Sequence, residues 1–346
     1  MPITALLMRS LSCTSVCGSG DKNTRIFLLP EVATVFNVCI IPGLKLYVKL
    51  TTGVCKSKKR MDGKTVIITG ANTGIGKETA LDLAKRGAKV ILACRDLERG
   101  KKACDKIIAS SGNSNVEVQH LDLSSLASVR KFADHIIKTE PKLDVLINNA
   151  GATRVGQKLT EDNILLGMQV NHYGPFLLTC LLVGLLKKSA PSRIVVVAST
   201  LHRVGILDLN DLNFEKSYGG DHVYCASKLA NVLMTNELAR KLEGSGVTVN
   251  SLHPGLVLTD LWRNFPAFII AIVRHILQLY MKNPQEGAQT SIYLAVSEDV
   301  EGVTGKYFED CKEVTPSKSA RNEGLAKKLW EKSVTLVDLK PEEADF

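Results

Sequence analysis

The stretch VYCASKLAN, Val223–Asn231, holds one tyrosine and one lysine four positions apart. Its other residues are mostly small or apolar, without Gly or Pro, so it reads as helix. Residues four apart share a helical face. A free phenol has a pKa of ~10 and is a poor proton shuttle at neutral pH. A cation ~4 Å away is worth about 4 kcal/mol at an effective dielectric of 20, enough to lower the phenol by ~3 pH units, to near 7. Tyr224 is therefore expected to act as acid/base, with Lys228 as its tuner and ribose anchor. The plainer alternative is a pair of solvated surface residues. Ser199 ends the apolar run SRIVVVAS, where a hydroxyl can orient a substrate oxygen. Thr200 is the substitute hydroxyl.

A second group of residues suits a dinucleotide. TGANTGIGKE, Thr69–Glu78, places Gly70, Gly74 and Gly76 between a strand and a helix. Glycines there let backbone N–H groups approach a pyrophosphate at the helix N-terminus. A plain tight turn is the competing explanation. The next strand ends ILACRD, with Cys94 where an NAD-preferring fold usually carries an acid, and Arg95 beside it. A guanidinium binds a ribose 2′-phosphate that an acid would repel, so the cofactor expected is NADP(H). Lys77 is a second candidate cation. Asp96 is a rival ribose acceptor, and Arg95 could equally be a solvated charge at a strand end. Asp122 either contacts the adenine amino group or caps the helix that follows. Asn148–Gly151, NNAG, suits close approach to a cofactor or a structural turn.

These residues need a frame, and the chain supplies one. From Lys64, short apolar runs alternate with helix-length segments: TVIIT, AKVILAC, NVEVQHLDL, LDVLINNAG, SRIVVVAS, GVTVNSLHPG and GKYFED. The expected helices are 76–86, 97–109, 126–138, 160–188 and 223–242. Alternation of this kind predicts βαβ units, a doubly wound parallel sheet of about seven strands, and helices on both faces. Strand C-termini in such sheets point at the ligand crevice, so Ser199, the Tyr-Lys helix and the glycine turn can face one cleft. One catalytic domain is expected over 64–313, then a tail, 314–346, with one amphipathic helix in SARNEGLAKKLWEKS.

The totals fit. Of 346 residues, 45% are hydrophobic and 23% charged, which favours a sizeable core over disorder. The net charge of +9 suits anionic partners, a phosphate-bearing cofactor or a membrane surface. The charges are dispersed and no nucleic-acid motif is visible. The nine cysteines show no metal-ligand spacing, so no metal is expected. Ahead of the domain lie a head, 1–25, and the apolar stretch 26–50, long enough to span a bilayer but interrupted by Glu31, Pro30 and Pro42. It is read as an uncleaved anchor, with an extra packed helix as the alternative. A basic linker, 51–63, follows it. Its run KSKKR, Lys56–Arg60, would keep the rest on the cytosolic side.

The motifs TGANTGIG, NNAG, Ser199 with YCASK, and HPG at 253–255 together resemble the short-chain dehydrogenase/reductase superfamily over about residues 60–313. GKTVIITGANTGIGKETALDLAKRGAKVILACRD, YCASKLANVL and SGVTVNSLHPG are similar to the NADP-dependent, membrane-bound retinol dehydrogenases numbered eleven to fourteen. The resemblance implies a fourth catalytic residue, Asn171 in VNHYG, which holds a water for proton relay beyond Lys228. It implies that Asn149 supports cofactor and sheet, and that Pro254, Gly255, Val257 and Thr259 contact nicotinamide and phosphates. Asn72, Thr73, Ile75, Leu123 and Ala150 join the expected cofactor contacts. VVVAST before and around Ser199, LVLTDLWRN after Pro254-Gly255, and the N-terminal residues depart from the subgroup's pattern.

Phe265–Met281, FPAFIIAIVRHILQLYM, is expected to wall the substrate site or to lie in a membrane interface, with an ordinary packed helix as the alternative. The implied reaction is hydride transfer between NADP(H) and a hydrophobic alcohol or aldehyde, retinol/retinal first. A carbonyl reductase of steroids or lipid aldehydes and a non-catalytic NADPH-binding membrane scaffold are the rivals. The endoplasmic reticulum membrane is the expected location, with the mitochondrion and lipid droplet as alternatives. A homo-oligomer is compatible with this reading. His202 and His222 are read as loop residues.

Overall fold

Runs of β-branched residues become central strands when both faces of a sheet are covered. Five such runs form β1 (Thr65–Thr69), β2 (Lys89–Cys94), β4 (Val145–Asn148), β5 (Ser192–Val197) and β6 (Val247–His253), and the segments VEVQH and YFE form β3 (Val116–His120) and β7 (Tyr307–Glu309). All seven run parallel, in the order β3-β2-β1-β4-β5-β6-β7. A two-residue β8 (Lys312–Glu313) returns antiparallel to β7 and makes an eighth strand. The computed structural model describes residues 49–212, 220–257 and 281–346. All of them fall in one compact unit, Tyr47–Phe346.

Side chains alternate across each strand. Ile67, Leu146, Ile194 and Val249 face one core, packed by α3 (Leu126–Thr139), α4 (Leu166–Lys188) and α5 (Gly220–Lys241). Val66, Ile68, Ile147, Val195 and Leu252 face the other, packed by α1 (Gly74–Lys85), α2 (Leu97–Ser111) and α6 (Pro284–Val296). The strand order reverses between β1 and β4, and a ligand crevice opens at such a switch point.

Helix boundaries follow local chemistry. Asp96 caps α2 by accepting from Arg99 N, and Gly112 closes it in the left-handed conformation. Ser125 caps α3. The segment expected as helix over 160–188 starts only at Leu166. Asn163 takes φ 57, and a bridge between Leu159 and Leu165 holds the chain before it in a turn. α4 is long and apolar enough to cross a membrane, yet most of its surface is buried inside the domain. The helix α6 went unread in the sequence. It starts at Asn283-Pro284 with a complete capping box to Glu286.

The segments flanking the expected domain pack onto it. In 51–63, Met61 is buried and the Arg86 guanidinium donates to the carbonyls of Ser57 and Lys59. The tail carries α7 (Glu323–Leu336), which buries Ala326, Leu329, Trp330 and Ser333. Burial on this scale is worth about 2 kcal/mol for a large apolar side chain. The expected head, nearly all of the expected anchor, Thr259 and nearly all of the apolar stretch 265–281 lie outside the described residues.

Candidate active site

A cleft of about 340 Å³ opens at the C-terminal ends of the strands. The glycine turn forms one wall, through Gly70, Asn72, Thr73, Gly74, Ile75 and Gly76. Gly76 has a steric reason to be glycine. A Cβ there would lie 2.4 Å from Asn149 Nδ2 and 2.7 Å from Gly70 O. Asn149 is committed to this turn: its Nδ2 donates to Thr69 O at 2.9 Å. The backbone N–H groups of Asn149 and Ala150 both donate to Thr69 Oγ1 at 3.0 Å. Asn149, Ala150 and Gly151 also line the cleft.

At the far end stand Arg95, Asp96 and Arg99. Arg95 and Arg99 are exposed cations. Asp96 spends one carboxylate oxygen on its helix cap, 3.0 Å from Arg99 N, which weakens its case as a ribose acceptor. Cys94 occupies the acid's slot as a buried thiol, raised to about 11 by desolvation, with hydrogen bonds from the Ala71 and Asn72 backbone as a smaller opposing effect. Lys77 does not line the cleft. It sits one helical step past Gly76, whereas Arg99, which the sequence reading missed, does line it. Asp122 and Leu123 line the same region, and Asp122 Oδ1 accepts from Ser124 N and Oγ in the turn before α3.

The near end holds Tyr224 and Lys228, with Pro254 beside them. The Tyr224 side chain hydrogen-bonds Ser199. Ser199 Oγ also accepts from Leu201 N at 3.2 Å as the cap of a 3-10 turn, Thr200–Val204, which leaves its own hydrogen to give. Lys228 Nζ is buried and donates to Val197 O at 2.9 Å, 5.7 Å from the Tyr224 ring centroid. The opening residues are therefore neither solvated nor apart.

Their electrostatics differ from expectation. Burial raises the Tyr224 phenol to about 12, and the Ser199 hydrogen bond offsets only part of that. Burial also lowers the Lys228 ammonium to about 8. The protein's own groups thus do not bring the phenol near 7. The cost of desolvating both groups outweighs the attraction between phenolate and ammonium, and Lys228 turns its charge toward a carbonyl.

Asn171 lies just outside the cleft wall, fully buried in a π-helical turn, Gln169–Tyr173. Its Oδ1 accepts from Ala152 N at 2.7 Å, and its Nδ2 donates to Ala152 O at 2.8 Å and Ser227 Oγ at 3.0 Å. A Cβ added to Gly151 would lie 3.4 Å from Lys228 Nζ and 3.7 Å from Asn171 Oδ1, so the two groups flank one glycine. Gly255 and Val257 sit behind Pro254 against Lys282, whose Nζ pairs with Asp310 at 2.5 Å. His202, read as a loop residue, is fully buried. Its Nε2 accepts from Ser317 N at 3.1 Å, so the proton sits on Nδ1, which donates to Ser199 O at 2.7 Å. It fixes the backbone at Ser199. Among the described residues no group of three or more His, Cys, Asp or Glu side chains could hold a metal ion.

The site fits a long anionic dinucleotide: a glycine cradle at a helix N-terminus, guanidinium groups at one end, hydroxyls and a lysine at the other. Comparison with known proteins agrees. Residues 64–268 match the short chain dehydrogenase family. Human retinol dehydrogenase 13 is 48% identical over 320 residues, 90% of this chain and 96% of that one. Human retinol dehydrogenase 14 is 49% identical over 294 residues, 81% and 88% of the two chains. A solved protein from Mycobacterium paratuberculosis superposes with a TM-score of 0.68 at 34% identity, covering 83% of this chain and 98% of that one. A short chain dehydrogenase from Escherichia coli CFT073, complexed with NADPH, gives a TM-score of 0.59 at 26% identity, covering 73% and 99%.

Proposed function

This chain belongs to the short chain dehydrogenase family and is an alcohol-acting oxidoreductase, and from that premise we propose that it reduces a hydrophobic aldehyde, retinal first, with NADPH. The observation that carries the reading is the meeting of Tyr224, Ser199 and Lys228 at one end of a glycine-walled cleft with Arg95 and Arg99 at the other. The names of the relatives support the substrate class.

NADPH, when bound, supplies the hydride to the carbonyl carbon. The chain's residues do the rest. The glycine turn and the N-terminus of α1 receive the pyrophosphate. Arg95 and Arg99 hold the 2′-phosphate through charge-assisted hydrogen bonds. Ser199 donates to the carbonyl oxygen and Tyr224 gives it a proton. A phenol raised to about 12 stays protonated at neutral pH, so its proton is in place, and the strongly basic alkoxide that hydride transfer would create can take it. Lys228 anchors the ribose, and Asn171 completes the route by which a proton is replaced.

The same reading places the protein on an intracellular membrane, the endoplasmic reticulum first. It is supported by the apolar stretch 26–50 and the basic KSKKR that follows.

The test is NADPH consumption with all-trans-retinal by the wild type and by Tyr224→Phe. Loss of nearly all turnover in the variant is expected. Equal rates would sink the catalytic assignment of Tyr224, and no NADPH consumption by the wild type would leave a cofactor-binding scaffold. Comparable turnover of a steroid ketone by the wild type would move the substrate to the carbonyl-reductase class.

A further inference from the structure

The backbone of the π-helical turn that carries Asn171 is tied to another helix. The residue four positions after Asn171 is Pro175, which has no N–H to give the Asn171 carbonyl. A buried carbonyl needs a donor. Asn231, on α5, provides one: its Nδ2 donates to Asn171 O at 3.0 Å.

That single bond fixes the polarity of a longer chain. A carbonyl only accepts, so the amide nitrogen of Asn231 must face it, and Oδ1 must face the other way. Oδ1 meets His172 Nδ1 at 3.2 Å, so His172 carries its proton on Nδ1. His172 Nε2 is then an acceptor, and it meets Ser333 Oγ at 3.2 Å. Ser333 therefore donates. All four residues are buried, and Ser333 belongs to α7, near the C-terminal end of the chain. Desolvation keeps the imidazole neutral in support of this pattern.

We infer that His172, Asn231 and Ser333 are positioning residues: Ser333 on the C-terminal helix pairs the His172 imidazole, the imidazole holds the Asn231 amide, and that amide holds the Asn171 carbonyl in place. Removing the Ser333 hydroxyl leaves the buried His172 Nε2 without its donor and loosens the ring's hold on Asn231 Oδ1. The disturbance ends at the residue that ties Ala152 to Ser227, beside Tyr224.

The inference rests on the proposed reductase reading, and the experiment separates the two. Full-length wild type, Ser333→Ala, Ser333→Thr and Asn231→Leu are compared by aldehyde reduction and by hydrogen exchange of the 169–173 amides. Ser333→Ala and Asn231→Leu are expected to speed exchange there. They should lower kcat by about tenfold or more, the scale of a sub-ångström misplacement, with the KM for NADPH unchanged. Ser333→Thr should restore both. An unchanged kcat, or a lower kcat without faster exchange at 169–173, overturns the inference. Ser333→Ala removes one oxygen atom and carries the test alone if Asn231→Leu does not fold. Should the wild type reduce no aldehyde, the reductase reading falls, and exchange alone then decides the network: faster in Ser333→Ala supports it, unchanged refutes it.

Discussion

Alcohol oxidation by this protein should climb steeply with pH while aldehyde reduction stays flat. The reason is the Tyr224 phenol, which the protein alone holds at about 12. Reduction needs the phenol to give a proton, and the protonated form prevails well above neutral pH. Oxidation needs the phenolate to take one. A positive nicotinamide, if bound ~4 Å from the phenol, would contribute about 4 kcal/mol at an effective dielectric of 20, or ~3 pH units. The phenol in the oxidised complex is then expected to titrate near pH ~9. At pH 7 only about 1% of it would be ionised, and oxidation should gain about tenfold per pH unit up to its plateau. Reduced nicotinamide is neutral and contributes no such shift. Single-turnover hydride transfer, followed by cofactor absorbance from pH 6 to 10 in both directions, isolates the step. Oxidation already at plateau by about pH 7, or reduction falling tenfold per pH unit across that range, would refute the electrostatic assignment.

Three further outcomes are expected. Arg95→Ala should weaken NADPH by about tenfold, the loss of one exposed charge-assisted hydrogen bond, and leave NADH nearly unchanged in a fluorescence titration; equal weakening of both would remove the 2′-phosphate role. Gly76→Ala should cost about 1–3 kcal/mol in denaturant unfolding, because its Cβ meets Asn149 and the Gly70 carbonyl, and should weaken cofactor binding; an unchanged midpoint would mean the turn yields. His172 is lowered from 6.5 to about 4 by burial, so the unfolded chain takes up its proton first as pH falls. Stability should therefore be full above about pH 6.5 and fall by about 3 kcal/mol toward pH 4, and His172→Gln should flatten that slope in urea titrations.

The central strands β1, β2, β4 and β5 were legible because burial on both faces leaves apolar runs. α2 and α3 start where expected, at Leu97 and Leu126, but their caps were not read: Asp96 was weighed as a ribose acceptor, and the cap of α3 is Ser125, not Asp122. Asn283-Pro284 followed by Glu286 was an equally readable signal for α6, and it was passed over. β8 left no signal: its two-residue turn, Asp310-Cys311, takes φ 51 and 59 without the glycine that usually marks such a turn. The placement of Ser199, Tyr224 and the glycine turn was legible because strand ends define the crevice. The state of the phenol was not. It depends on how deeply the packed chain buries two charges and where Lys228 turns, which spacing does not reveal. His202 and the Asn231–His172–Ser333 chain were hidden for a similar reason, since their partners lie far away in sequence.

The eighth strand bears on what can pair with its end of the sheet. The outer edge of the sheet at that end is two residues long, Lys312 and Glu313, both exposed and carrying opposite charges. A short charged border offers a neighbouring polypeptide almost no ladder of free amides to extend. Edge-to-edge extension of the sheet is thereby disfavoured at this border.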